Sequence, residues 1–204
     1  MIAIIDYNSG NVRSVQKAFE YVGFDAVITN DKNIINNATH LVLPGVGAFG
    51  DCYKNLLNTD LIETLHDNIK SGKPFLGICV GMQLLFEKSF EFGIHEGLGY
   101  FDGNIKKFPE EIVKEGKKIP HMGWNSINIV ADHPILKGIK SGDYFYFVHS
   151  YYAPINDNTI VTCNYGVEFT AAVAKNNIVG VQFHPEKSAE NGLKIIKNFG
   201  EWQC

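Results

Sequence analysis

The sequence predicts an α/β protein: a mostly parallel open sheet with helices on both faces, and antiparallel strands added in the C-terminal half. Three observations predict it. Short strands such as Ile2-Ala-Ile-Ile5 and His40-Leu-Val-Leu-Pro44 are apolar almost throughout, so they need cover on both faces, as parallel strands do. They alternate with stretches whose apolar residues recur every three or four positions, the pattern of a crossover helix. Beyond residue 104 the apolar runs follow one another too closely for intervening helices and read as antiparallel hairpins.

In chain order, the first strand ends at Asp6, and Tyr7-Asn-Ser-Gly-Asn11 forms a turn cluster. A helix over 12–22 follows, with Val15, Ala18, Phe19 and Val22 on one face and Gly23 as its stop. A second strand covers 26–29, and Asp31 or Asn33 caps a brief helix. The third strand runs into Pro44-Gly-Val-Gly-Ala-Phe49. A glycine-rich loop at a strand's C-terminal end is where open α/β sheets bind ligands. It carries neither GxxxxGK[ST] nor a full GxGxxG, so it reads equally as a plain turn or as backbone offering N–H groups to an anion. A helix over 61–69 leads to a strand at 75–78. Glycines at 93, 97, 99 and 103 loosen the next stretch. Strands are expected at 105–108, 127–129, 144–152, 160–163, 171–174 and 179–183, with Lys175-Asn-Asn-Ile178 as a hairpin turn. A helix over 190–199 closes the chain. No repeat, linker or composition break divides it, so 1–204 reads as a single domain.

Composition narrows the function. The chain has 204 residues, 45% hydrophobic and 20% charged, with net charge −4, an ordinary globular balance. No Lys/Arg cluster provides a footprint for nucleic acid or an anionic membrane. No apolar run approaches the ~20 residues of a membrane span, and the N-terminus lacks the basic start and long apolar run of a signal peptide. Cys52, Cys79, Cys163 and Cys204 form no CxxC pair and no zinc spacing. The expectation is a cytoplasmic protein without metal or organic cofactor.

The stretch that carries chemistry is Lys73-Pro-Phe-Leu-Gly-Ile-Cys-Val-Gly-Met-Gln83. A short strand runs into a sharp turn at Cys79, and a helix starts near Gly81 and carries Met82 to Leu85. Gly77 and Gly81 flank the cysteine two residues away on each side, the spacing of a nucleophile elbow. A thiol beside a helix N-terminus is favoured as thiolate. The plainer alternative is a buried cysteine acting as a small hydrophobe. A cysteine nucleophile needs a base. Among seven histidines, His184 in Gln182-Phe-His-Pro-Glu-Lys-Ser188 is the best placed. In an extended segment His184 and Glu186 point the same way, so the carboxylate can orient the imidazole; a surface histidine beside a glutamate is the alternative. His149, within Tyr146-Phe-Val-His-Ser-Tyr151, reads as structural or as shaping a pocket, and His121 as a turn residue.

Taken together, Gly77-Ile-Cys-Val-Gly-Met-Gln83, Phe147-Val-His-Ser-Tyr151 and Gln182-Phe-His-Pro-Glu-Lys-Ser188 resemble the class I glutamine amidotransferases of the Cys-His-Glu type. Tyr7-Asn-Ser-Gly-Asn11, Leu43-Pro-Gly-Val-Gly-Ala-Phe49 and Pro120-His-Met-Gly-Trp-Asn125 are similar, more narrowly, to those glutaminase subunits that serve a (β/α)8-barrel cyclase in histidine synthesis. The resemblance implies a triad of Cys79, His184 and Glu186, and oxyanion donors from Val80 and the Gly45-Val46-Gly47 loop, Gly47 in particular. It implies glutamine contacts from Gln83, Glu91, His149, Ser150 and Tyr151. It further implies a heterodimer with the cyclase through Asn11, Trp124, Asn125, Tyr144 and Lys187, and a loop that rearranges under the partner's control. The same chemistry could instead supply ammonia to a sugar amidotransferase of surface-glycan synthesis. Val80 stands where the family more often has Leu, and Tyr100, Phe101 and Asp102 depart from the family's usual Ile-Pro.

Overall fold

The computed structural model describes residues 1–203, and Cys204 lies outside them. The strands are β1 (Ile2–Ile5), β2 (Ala26–Thr29), β3 (His40–Gly45), β4 (Phe75–Cys79), β5 (Phe86–Ser89), β6 (His95–Glu96), β7 (Phe101–Lys107), β8 (His121–Ile129), β9 (Tyr144–His149), β10 (Tyr151–Tyr152), β11 (Thr159–Asn164), β12 (Glu168–Lys175) and β13 (Ile178–Val181). The helices are α1 (Val12–Tyr21), α2 (Lys32–Asn37), α3 (Phe49–Asn58), α4 (Ile62–Lys70), α5 (Val80–Gln83), α6 (Glu111–Lys114) and α7 (Ala189–Glu201). Short 3-10 turns span Pro134–Leu136 and Pro185–Lys187.

Nine strands form the main sheet in the order β2-β1-β3-β4-β13-β12-β11-β8-β9. From β2 to β13 the neighbours are parallel, and from β13 to β9 they are antiparallel. All four residues of β1 are buried, so both faces of the sheet are covered there. Helix α1 packs against α7, where Phe19 and Phe199 meet edge to face at 6.1 Å. Helix α2 packs against α4, tied by Asn68 Nδ2 donating to Asn36 Oδ1 at 2.7 Å. The Asp31 carboxylate accepts from Asn33 N–H at 2.7 Å and caps α2.

Several local expectations are corrected. The sequence reading leaves 49–58 without an element, whereas α3 occupies it and buries Phe49, Cys52 and Leu56, a three- and four-residue spacing that the preceding glycines obscured. The loosened stretch after residue 86 builds a second sheet, β10-β7-β5-β6. The helix after Cys79 is a single turn over Val80–Gln83 rather than a run to Leu85. It therefore presents unpaired N–H groups without a long helix dipole behind them.

Candidate active site

The site forms where the parallel sheet turns antiparallel, at the C-terminal ends of β3, β4 and β13. Three glycines let the backbones close in, and a Cβ on the first, Gly45, would stand 2.7 Å from Gly81 N. A Cβ on Gly81 would stand 1.8 Å from the Leu43 carbonyl oxygen, and one on Gly77 would stand 2.7 Å from Gly81 O. Cys79 adopts φ 54°, ψ −111°, a conformation outside the allowed regions for a residue with a side chain. Such strain concentrates where structure holds a functional group in place.

His184 Nδ1 and Glu186 Oε1 are 2.7 Å apart, with side chains 1% and 0% exposed. The pair forms differently from the sequence reading. Pro185 opens a 3-10 turn, as proline at a helix start favours, and that turn brings Glu186 back onto His184 in place of an extended segment. Ser188 Oγ donates to His184 O at 2.6 Å and locks the turn. Asn11 Nδ2 also donates to Glu186 Oε1, so the carboxylate is held from two sides. Burial alone would push the His184 imidazole down; a thiolate at Cys79 and the Glu186 carboxylate outweigh it and push it up to about 10. The imidazole is thus favoured in its protonated form.

A cavity of about 150 Å³ is lined by Val46, Gly47, Cys79, Val80, Gln83, Glu91, Val148, His149, Ser150, Tyr151 and His184. It brings together Gln83, Glu91, His149, Ser150, Tyr151 and Val80 with Val46 and Gly47 of the glycine loop, leaves Gly45 outside the lining, and adds Val148. Glu91 also accepts from Phe49 N–H at 2.6 Å, and burial raises its carboxyl. Gln83 is more committed than expected. Its Nε2 donates to Tyr151 O at 3.0 Å and to Gln182 Oε1 at 2.9 Å, so only its Oε1 is left for a ligand.

His121 corrects the reading of a turn residue. It lies on β8, buried, stacked on Phe147 at 4.9 Å and Tyr165 at 4.0 Å. Its hydrogen bonds form one relay with fixed directions. Tyr151 O can only accept, so His149 Nδ1–H donates to it at 2.8 Å. His149 Nε2 then accepts from His121 Nδ1–H at 3.0 Å, and His121 Nε2 accepts from Asn125 Nδ2 at 3.3 Å. Both rings are neutral in this arrangement. Burial first, and then its neighbour, lowers His149 to about 3, and burial lowers His121 to about 4.

The glycine loop is held unevenly. Pro44 O accepts from Tyr7 Oη at 2.5 Å and Ser9 Oγ at 3.2 Å, and Gly45 is in register with Cys79. Past that point, Val46 O accepts only the weak Cys52 thiol at 3.4 Å. Burial pushes that thiol up to about 11, so it remains a donor at neutral pH.

The residues expected to meet a partner divide in two. Trp124 and Tyr144 are 52% and 57% exposed, beside Met122 at 62%. Lys187 Nζ sits 6.0 Å above the Tyr146 ring on the same side, and Trp124 packs edge-on to that ring. Asn11 and Asn125 are half-buried, and their amides are engaged internally, on Glu186 and on His121 and Asn164. Among the described residues no group of three or more His, Cys, Asp or Glu could hold a metal, no disulfide joins the described cysteines, and no helix is long and apolar enough to cross a membrane.

A single-turn elbow carrying a cysteine, with a buried His–Glu pair from the turn that follows the neighbouring strand, is the equipment of a cysteine-dependent amidohydrolase. Residues 3–201 match the family described as Glutamine amidotransferase class-I, and the chain belongs to that family. It is 56% identical over 203 residues to the "Imidazole glycerol phosphate synthase subunit HisH" of Caldanaerobacter subterraneus subsp. tengcongensis, covering 98% of each chain. It is 52% identical over 204 residues to the protein of the same name from Geobacter sulfurreducens, again covering 98% of each. Among solved structures, "Structure of PurLQS from Thermotoga maritima" shares the fold at TM-score 0.74 and 21% identity, over 98% of this chain and 97% of that one.

Proposed function

We propose that the chain is the glutaminase subunit of an imidazole glycerol phosphate synthase. It hydrolyses glutamine to glutamate and ammonia and passes the ammonia to a (β/α)8-barrel cyclase. That partner makes imidazole glycerol phosphate and aminoimidazole carboxamide ribotide for histidine synthesis. The observation that carries the reading is the strained Cys79 beside a buried His184–Glu186 pair, at the mouth of a cavity sized for a small metabolite. Similarity over nearly the whole length to subunits of that name supports the pathway.

The Cys79 sulfur attacks the carboxamide carbon of glutamine, and the carbonyl electrons move onto oxygen. Val80 N–H takes that oxyanion together with an N–H from the Val46–Gly47 side of the glycine loop, a contribution commonly worth ~3–4 kcal/mol per donor. His184 gives its proton to the departing nitrogen, which leaves as ammonia while a thioester forms. His184, now neutral, takes a proton from water; the hydroxide attacks the thioester carbon, and glutamate leaves as Cys79 is regenerated. Glu186 fixes the imidazole throughout. Glu91 meets the ammonium group of the substrate, and Gln83 Oε1 and the backbone from His149 to Tyr151 hold its polar groups.

The loosely tethered Val46–Gly47 half of the loop supports partner control. A cyclase seated on Trp124, Tyr144, Asn125, Lys187 and Asn11 would lie next to the Glu186 turn, and aromatic residues suit an interface anchor. The same reading places the protein in the cytoplasm, where its cysteines stay reduced. The test is glutamate release with and without the cyclase barrel holding its nucleotide ligand. Strong stimulation is the expected outcome, with activity abolished by Cys79→Ala. No stimulation would sink the cyclase partnership, and turnover retained in Cys79→Ala would sink the triad.

A further inference from the structure

The mechanism above gives no task to Gln182, which is fully buried one residue past β13. A buried amide needs partners for both ends, and here those partners are unusual. Its Oε1 accepts from Gln83 Nε2 at 2.9 Å, and its Nε2 lies 3.7 Å from Cys79 Sγ. Which end faces the sulfur is set by the neighbours. Tyr151 O accepts from Gln83 at 3.0 Å and from His149 at 2.8 Å. A carbonyl cannot donate, so Gln83 must turn its nitrogen that way, and the second hydrogen on that nitrogen requires an oxygen from Gln182. The Gln182 nitrogen is left facing the sulfur. Its N–H favours negative charge there, against the Val148 carbonyl at 4.0 Å, which favours the S–H.

We propose that Gln182 is a further catalytic residue: its side-chain amide donates to the Cys79 sulfur, holds it as thiolate and keeps it aimed at the substrate carbon. This deepens the glutaminase reading and rests on Cys79 being its nucleophile. The other titratable groups facing the sulfur are His184 from the 3-10 turn, Tyr7 after β1 and Cys52 on α3, with Glu91 across the cavity. His184 and Cys52 are pushed up to about 10 and about 11, and burial raises Tyr7 well above its ordinary value. None of these three changes charge near neutral pH, nor does His149 of the same cavity, which is pushed down to about 3, while burial raises the Glu91 carboxyl across it.

The test follows iodoacetamide alkylation of Cys79 against pH, read by mass spectrometry on the peptide that carries it. The proteins are the unaltered chain, Gln182→Met, Gln182→Glu and Gln83→Glu, each with a thermal melt. Gln182→Met removes the N–H. Gln83→Glu presents a carboxylate to the Gln182 amide and draws its nitrogen away from the sulfur. The inflection is expected to rise by about one pH unit in Gln182→Met and Gln83→Glu, the scale of a lost hydrogen bond to a charged group, and further in Gln182→Glu, which sets a negative charge beside the sulfur. In Gln182→Met, kcat for glutamine is expected to fall about tenfold with KM little changed, because the amide touches the sulfur and not the substrate. An inflection unchanged in Gln182→Met, or in Gln83→Glu should the former fail to fold, would overturn the proposal. Glutamate release by the unaltered protein is measured alongside. Its absence would refute the glutaminase reading separately, whatever the alkylation shows.

Discussion

Replacing Cys79 by glycine should give a more stable protein than replacing it by alanine. At φ 54° and ψ −111° the residue sits where a Cβ is penalised, and such positions cost on the order of 1–3 kcal/mol. Alanine keeps the Cβ and therefore the penalty; glycine removes it. Glycine also frees the unfolded chain, which takes back about 0.4–1 kcal/mol. Both variants lose the same sulfur, so the difference isolates the backbone, at about 1 kcal/mol in favour of glycine. For a chain of 204 residues, that is a melting difference of about 2–4 °C. Urea unfolding at constant slope gives the same quantity through the midpoint. Cys52 supplies the control, because it lies inside α3. There the order should reverse, with glycine about 1 kcal/mol less stable than alanine. A Cys79→Gly protein no more stable than Cys79→Ala, with the Cys52 pair behaving normally, would refute the claim that the elbow stores strain.

Three further outcomes are expected. Glu186 raises the His184 pKa through its hydrogen bond and its charge, so Glu186→Gln should move the alkaline limb of kcat/KM down from near pH 10 and lower the rate by about a hundredfold or more; an unmoved limb would count against the pair. His149 is pushed down to about 3 when folded, against 6.5 in the open chain, so the stability linked to its neutral form is full above pH 6.5 and is lost as pH falls toward 3. Urea unfolding should show a loss approaching 1.4 kcal/mol per pH unit from this residue, with a shallower slope in His149→Gln, and equal slopes would remove His149 as the cause. Trp124→Ala and Lys187→Ala should weaken stimulation by the cyclase while leaving the melting temperature nearly unchanged, as befits exposed side chains; stimulation unaltered in both would remove that docking surface.

The parallel half of the fold was legible because β1 and β3 are buried along their whole length and so spell apolar runs. The elbow was legible because its glycines stand at fixed offsets from Cys79. Helix α3 is hard to read from sequence because its apolar face is only Phe49, Cys52 and Leu56, directly after a glycine-rich loop. What local pattern cannot carry is a meeting of distant residues. Asn11 reaches Glu186 across 175 positions and Gln83 reaches Gln182 across 99, and neither pair leaves a trace in periodicity. The pairing of His184 with Glu186 was anticipated, but by a geometry that Pro185 replaces with a tight turn. His121 reads as a loop residue since glycine follows it closely; its burial is set by Phe147 on β9 and Tyr165 in the turn between β11 and β12.

The three close-packed glycines set the mutational tolerance of this region. Gly45 would place a Cβ 2.7 Å from Gly81 N, Gly81 would place one on the Leu43 carbonyl, and Gly77 would place one against Gly81 O. Each is confined by space, and each by the backbone of another segment of the same small junction. A saturation library across these positions should return glycine at all three. Gly23, Gly72 and Gly116 have positive φ but open space around them, and they should admit asparagine at modest cost. A random replacement at the first set shifts β3, β4 and α5 against one another, so drift in this chain is channelled away from the elbow and toward its outer turns.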